Sequence, residues 1–363
     1  MARTLALVGG GLAHIELLRR LATAPISDFD VALFDPSPSV WYDPMVPGVI
    51  AGHYEPASAK VNLWALCQRA RVRFFETSVT RVDAANQRIY TALGERHFYD
   101  LLSLDIGGST RPIPAQEGAY VTPVKPTANL VEMVEERSAL PSSNVRLAVI
   151  GGGATAIETI LAIAHRWRER RPQLSLITDG SLLGGRHAAA RKAALMACRH
   201  YGVQVSEGTR VNRILPGELV LSSGKRVVVH VAVLATGYSA PALLRNTDLA
   251  LANDGSLLIN PTLQSISHLN VFAAGNGAKI AEGTALRSIG TSTRLGGALL
   301  ASLLAFARSE PLPVWTDSPP SSLLVSLGGK RAVACKAGLT LSGNLVWRWK
   351  DWADRRWIRR YAV

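Results

Sequence analysis

The sequence predicts an α/β protein built from two Rossmann-like dinucleotide-binding units, the second inserted in the first, followed by a small C-terminal region. Three observations carry that prediction. Leu5 to Val8 is a short apolar run that breaks at Gly9-Gly10-Gly11, and helical spacing resumes from Leu12 to Leu21. Arg146 to Ile150, in a unit that begins at Asn144, breaks in the same way at Gly151-Gly152-Gly153, before a helix to about Arg168. A second apolar run follows each helix: Val31 to Phe34 ends on Asp35, and Leu174 to Ile177 ends on Thr178-Asp179.

The chemistry of such a corner is simple. Glycine lets the backbone turn sharply and lets a pyrophosphate approach the main chain. The helix start then offers N–H groups and the positive end of its dipole. Gly9, Gly11, Leu12 and Ala13 form the first corner, and Asp35 stands where a carboxylate accepts hydrogen bonds from a ribose. His14 occupies the third position of the glycine pattern, so this helix is expected to sit slightly differently on its strand. In the second corner Ala156 takes that position, and Thr178 stands where the acid is usual. Arg186, His187 and Arg191 follow. They pair with a 2′-phosphate, or they are solvated helix charges, so the choice between NADH and NADPH stays open.

Composition bounds the alternatives. A chain of 363 residues with 48% hydrophobic and 18% charged residues is globular, with room for two or three domains. No apolar run approaches the roughly 18–20 residues of a spanning helix. The N-terminus mimics a signal peptide, with Arg3, an apolar stretch and Ala22-Thr23-Ala24, but the glycine turn and Glu16 interrupt it. The expected location is therefore cytoplasmic, with the inner face of a membrane as an option. Cys67, Cys198 and Cys335 are too scattered for a dithiol pair and read as buried or free thiols. The eight histidines show no ligand spacing, so no metal site is expected. The net charge of +13 favours an anionic partner, and nucleic acid is not expected, because no binding motif supports it.

Between the two corners, Ser39 to Gly52 is dense in aromatics and prolines, either a packed surface loop or a wall beside a ring system. Asn62 to Ala70 reads as a helix and Val72 to Phe75 as a strand. Val79 to Tyr90 and Arg96 to Leu104 read as strands of an antiparallel insert feeding Asp105-Ile106-Gly107-Gly108. Beyond the second corner, Val231 to Leu234 runs into Ala235-Thr236-Gly237-Tyr238. Asn270 to Ala274 is a strand before Gly275-Asn276, and Leu286 to Phe306 leads into a long helix.

This order of two glycine turns, Ala-Thr-Gly and Val-Phe-Ala-Ala-Gly resembles the two-dinucleotide flavoproteins of the pyridine nucleotide-disulfide oxidoreductase superfamily. More closely, the chain is similar to type II NADH dehydrogenase-like proteins and to the flavoprotein often fused to selenide, water dikinase. Leu7-Val8-Gly9-Gly10-Gly11 with Ala13-His14, Met45-Val46-Pro47-Gly48 with Ala51-Gly52-His53-Tyr54, Tyr99 to Gly107 and the tail Trp347 to Tyr361 carry the resemblance. It implies an FAD-binding domain over residues 1–108 and 236–310, an NAD(P)-binding domain over 109–235 and a C-terminal region over 311–363. It implies FAD held by Gly9, Gly11, Leu12, Ala13 and Asp35, with Gly275 and Asn276 near the ribityl chain and pyrophosphate. NADH or NADPH would be held by Gly151, Gly153 and Gly237. Glu158 is the implied catalytic residue, a partner for the nicotinamide carboxamide, unless it is only a solvated or capping charge.

The implied activity is hydride transfer from NAD(P)H to flavin N5 and on to a small-molecule acceptor, with a quinone as one candidate. Three departures bear on it. Asn276 stands where relatives carry Asp, which permits FAD but weakens its retention. The Gln- and Ala-rich quinone pattern is not visible in Gly290 to Gly297, and the paired cysteines of sulfide:quinone reductases are missing. The rival readings are a flavin oxidase or tailoring enzyme working without NAD(P)H, and a non-catalytic redox-sensing protein.

The tail, Leu345 to Val363, holds Trp347, Trp349, Trp352 and Trp357 among six Lys and Arg residues. That mixture suits peripheral contact with a membrane. Equally, it suits a helix packed on the protein itself or on a second subunit of a homodimer. On a helical wheel Trp347, Trp357, Ile358 and Tyr361 share a broad face, with Trp349 and Trp352 among the arginines.

Overall fold

The computed structural model describes residues 3–26, 28–139, 145–185, 187–281, 289–316 and 322–362. Asn144, Arg186, Leu286 and Val363, named above, lie outside these residues.

Strand Arg3–Val8 is the centre of a five-stranded sheet. Phe29–Asp35 and then Arg73–Glu76 lie on one side, Leu101–Leu104 and then Val271–Ala273 on the other, and every pairing is parallel. Leu5 to Val8 is buried throughout. A parallel sheet is covered on both faces, which is why the strand reads as an unbroken apolar run. The second sheet repeats the plan around Arg146–Ile150. Gln173–Ile177 and Gln204–Ser206 lie on one side, Val231–Leu234 and Val121–Pro123 on the other, again all parallel.

In each unit the glycine turn leads into a helix, Leu12–Thr23 or Ala154–Arg166. The capping residues Gly11 (φ −62°, ψ 170°) and Gly153 (φ −78°, ψ 175°) have nearly the same conformation. Gly9 (φ +87°) and Gly151 (φ +142°) take backbone angles that side chains rarely adopt, and this allows the reversal.

Each unit also carries a three-stranded antiparallel meander, 79–98 in the first and 211–228 in the second. Here the structure corrects the sequence reading. Val79 to Tyr90 is two strands, because the chain reverses between Asp83 and Arg88 with Gln87 at φ +54°. Arg96 to Leu104 is also two: Arg96–Phe98 closes the meander, and Leu101–Leu104 joins the parallel sheet.

The C-terminal region is an antiparallel meander, Ser322–Ser326, Ala332–Lys336 and Leu339–Gly343, followed by helix Asn344–Tyr361. One stripe of that helix is anchored on the first unit. The Trp357 ring stacks on Tyr42 at 3.9 Å, and the Tyr361 hydroxyl donates to Glu16 Oε2 at 2.8 Å. The opposite stripe is open. Trp349 and Trp352 are each more than half exposed, on the side of the helix that also carries arginines, and Arg356 lies over the Trp352 ring. No described helix is long and apolar enough to cross a membrane.

Candidate active site

Both glycine corners lie at the carboxyl ends of their parallel strands, where open α/β sheets bind ligands. In the first corner Asp35 comes back to the turn. Its Oδ2 accepts the Gly10 N–H at 2.7 Å and its Oδ1 accepts the Ser37 N–H at 2.9 Å. Burial pushes the Asp35 carboxyl up from its ordinary value.

The residue that gathers the rest of this corner is Asp105. Its Oδ2 accepts the N–H groups of Ala13 (2.8 Å) and His14 (3.2 Å). A Cβ added at Gly11 would lie 2.1 Å from its Cγ, and one at Gly275 would lie 2.3 Å from its Oδ1. Gly11, Ala13 and Gly275 therefore converge on one buried carboxyl, with Leu12 beginning the helix and Asn276 half-buried just beyond Gly275.

His14, in place of the third glycine, is completely buried. Burial pushes its imidazole down, toward the neutral form. Its Nδ1 lies 2.6 Å from the Gly9 carbonyl, which can only accept, so Nδ1 carries the proton and donates. Nε2 then accepts from the Ser103 hydroxyl at 2.8 Å. Helix and strand are pinned by polar bonds where a glycine would give close contact.

The second corner opens on a cleft of about 620 Å³ lined by Gly151, Gly152, Gly153, Thr155, Thr178, Asp179, Arg210 and Gly237, among others. Thr178 is the counterpart of Asp35. A Cβ at Gly10 would lie 3.2 Å from Asp35 Oδ2, and one at Gly152 would lie 2.5 Å from Thr178 Oγ1. Of the basic residues that follow this strand, Arg186 lies outside the described residues. Arg191 forks onto Glu207, with Nε at 3.0 Å from Oε1, and is engaged. Arg210, delivered by the segment before the second meander, lines the cleft instead and faces Asp179 at 3.7 Å.

Glu158 is not part of the cleft lining. Its Oε1 accepts the Ser326 N–H at 2.8 Å, and burial pushes its carboxyl up while the Lys350 charge opposes the shift. Lys350, almost fully buried, donates to Asp354 Oδ2 and to the Pro44 carbonyl, both at 2.6 Å. Glu158 thus belongs to a polar cluster joining the second unit, the C-terminal region and the loop after Asp35.

Cys67, Cys198 and Cys335 are buried and unpaired, and burial pushes the Cys67 thiol up to about 12 and the Cys198 thiol up to about 11. Such thiols are poor nucleophiles at neutral pH.

Asp105, Lys350, Asp354 and Arg210 were not singled out as site residues from sequence. For Asp105 the signal was there: an acid directly after the apolar run Leu101–Leu104, where the second unit has Ala235 after Val231–Leu234.

Residues 3–294 match the family described as pyridine nucleotide-disulphide oxidoreductase. The chain belongs to this family. The pyridine nucleotide-disulphide oxidoreductases are flavin-dependent, and FAD with NADH or NADPH are their cofactors. The groups of the first corner are of the kind FAD uses: a glycine turn into the start of helix Leu12–Thr23 for the diphosphate, and the Asp35 carboxyl beside that turn for a ribose. An NADH dehydrogenase-like protein of Mycobacterium tuberculosis is 27% identical over 234 residues, covering 61% of this chain and 58% of that protein. Demethylphylloquinone reductase of Synechocystis is 23% identical over 246 residues, covering 62% and 60%. The chain therefore spans less than two thirds of these relatives. Two solved structures share the fold at a TM-score of 0.80. Sulfide:quinone oxidoreductase of Aquifex aeolicus is 17% identical, with 99% of this chain and 91% of that one covered. NDH2 of Plasmodium falciparum, in complex with NADH, is 14% identical, with 99% and 97% covered.

Proposed function

We propose that this protein is an FAD-dependent oxidoreductase that takes a hydride from NAD(P)H and delivers electrons to a quinone at a membrane surface. The observation that carries the reading is the repeated corner: one plan at two strand ends, one built around Asp35, the other opening on the 620 Å³ cleft. Residues 1–108 and 236–310 form the FAD domain, with Gly9, Gly11, Leu12, Ala13, Asp35, Gly275 and Asn276 at the flavin. Residues 109–235 form the nucleotide domain, with Gly151, Gly153 and Gly237 along the cleft, and 311–363 the C-terminal region. Bound FAD supplies the hydride-accepting N5; the protein supplies position and electrostatics. In this reading Arg210, which lines the cleft while Arg191 is tied to Glu207, is a described side chain that would meet a 2′-phosphate.

Glu158 acts here as a positioning residue through Ser326 and the Lys350 cluster. Glu158→Ala is expected to slow reduction by NAD(P)H by about tenfold to a hundredfold, the range for a lost positioning contact, with FAD loading unchanged. Anaerobic stopped-flow reduction beside a flavin titration checks this; an unchanged rate removes Glu158 from the assignment.

The membrane reading rests on the open stripe. Leu345, Trp349 and Trp352 recur at helical spacing, with Leu339 and Leu341 on the adjoining strand, all more than half exposed. Arg348, Arg355, Arg356 and Arg359 are exposed along the same helix. Indoles with arginines suit the headgroup layer of an anionic bilayer. Trp349→Ala with Trp352→Ala should weaken sedimentation with phosphatidylserine vesicles by about tenfold, with an unchanged melting temperature. Equal sedimentation would reject the contact.

The whole reading is tested by an absorbance spectrum of the purified protein, followed by anaerobic NADH and then NADPH. A yellow protein that bleaches supports it. A yellow protein that ignores both nucleotides favours an oxidase working without NAD(P)H.

A further inference from the structure

The two corners differ at one place that the internal repeat makes visible. Leu101–Leu104 and Val231–Leu234 are equivalent strands, each lying beside the central strand of its sheet. In both, the next residue closes over the first glycine of the turn. A Cβ on Gly9 would meet the Asp105 carbonyl oxygen at 2.5 Å, and one on Gly151 would meet that of Ala235 at 2.1 Å. Ala235 carries only a methyl, and its corner opens on the cleft. Asp105 carries a carboxyl, 3% exposed, that takes the N–H groups of Ala13 and His14. These belong to the first turn of the helix, the donors toward which an incoming diphosphate is drawn. His14 does not offset the acid with a positive charge, since its Nδ1–H is committed to Gly9 and its Nε2 to Ser103. On the other side Gly275 leaves room for Oδ1, where an added Cβ would lie 2.3 Å away.

We propose that Asp105 competes with the FAD diphosphate for the first turn of helix Leu12–Thr23, and so makes the flavin an exchangeable rather than a permanently held group. The inference rests on the FAD reading of the first corner. It concerns hydrogen-bond donors as well as charge. Asp105→Ala releases both N–H groups and removes the acid. Asp105→Asn keeps an oxygen that can accept them but cannot ionise.

The test is the dissociation constant of FAD, read by flavin fluorescence on the full chain after flavin removal, with thermal melting to check folding and NADH binding at the second corner as an internal control. Asp105→Ala is expected to bind FAD at least tenfold more tightly than wild type, with Asp105→Asn between the two. FAD binding by folded Asp105→Ala that equals or falls below wild type overturns the proposal. If that variant does not fold, Asp105→Asn decides, and unchanged or weaker binding overturns it. Failure of every folded form to bind saturating FAD removes the FAD reading and the proposal with it. Binding by Asp105→Ala alone supports both.

Discussion

Gly153→Trp is expected to give a folded protein that no longer binds NADH or NADPH, with affinity reduced at least about a hundredfold, or about 2.7 kcal/mol. Gly153 has φ −78°, which any residue tolerates, and a Cβ placed there meets nothing within 4 Å. The open space is the cleft, since Gly153 lines it. An indole at that position fills the approach to the helix start and leaves the core alone. Isothermal titration with each nucleotide, beside a thermal melt, checks the prediction. Undiminished binding would place the nucleotide elsewhere. No equally clean variant exists at Gly11, where the added Cβ would sit 2.1 Å from Asp105 Cγ. Two glycines that look alike in sequence are thus constrained differently, one by the ligand space and one by the protein's own carboxyl.

Lys350→Met should destabilise the fold by about 3–5 kcal/mol, the usual effect of removing one partner from a buried ion pair. Lys350 and Asp354 have side chains only 7% and 8% exposed, and Nζ also satisfies the Pro44 carbonyl. In the variant Asp354 and Glu158 both lose the cation that opposes their desolvation. Burial already raises both carboxyls in the folded state, so that state binds protons more tightly than the unfolded chain, and stability falls as pH rises above about 4. The deficit of the variant should therefore be largest near neutrality and shrink on acidification toward pH 4. Urea unfolding at a series of pH values measures it, and a pH-independent deficit would show that packing, not charge, is what Lys350 supplies.

The glycine corners were legible in the sequence because everything that makes them is local: an apolar strand, a turn that needs glycine, a helix start. Asp35 was legible for the same reason, standing at the end of the next strand. Asp105 is different. It is brought to Ala13 and Gly275 by parallel pairing across the sheet, and no local pattern at Leu101–Leu104 announces which helix start it meets. Arg191 and Arg210 show the same limit, since the nearer residue in sequence is captured by Glu207 and the farther one reaches the cleft. The tail announced itself by composition, but its orientation is set by Tyr42, Pro44 and Glu16, some three hundred residues upstream.

That tail helix has two sides with different neighbours. Its outer stripe offers indoles to the surroundings, while its inner stripe grips Tyr42, Pro44 and Glu16 of the first unit and stands beside Glu158 of the second. A rigid helix cannot shift one stripe without shifting the other. Whatever seats on the outside is mechanically in series with the loop beside the first corner and with the helix that starts at the second.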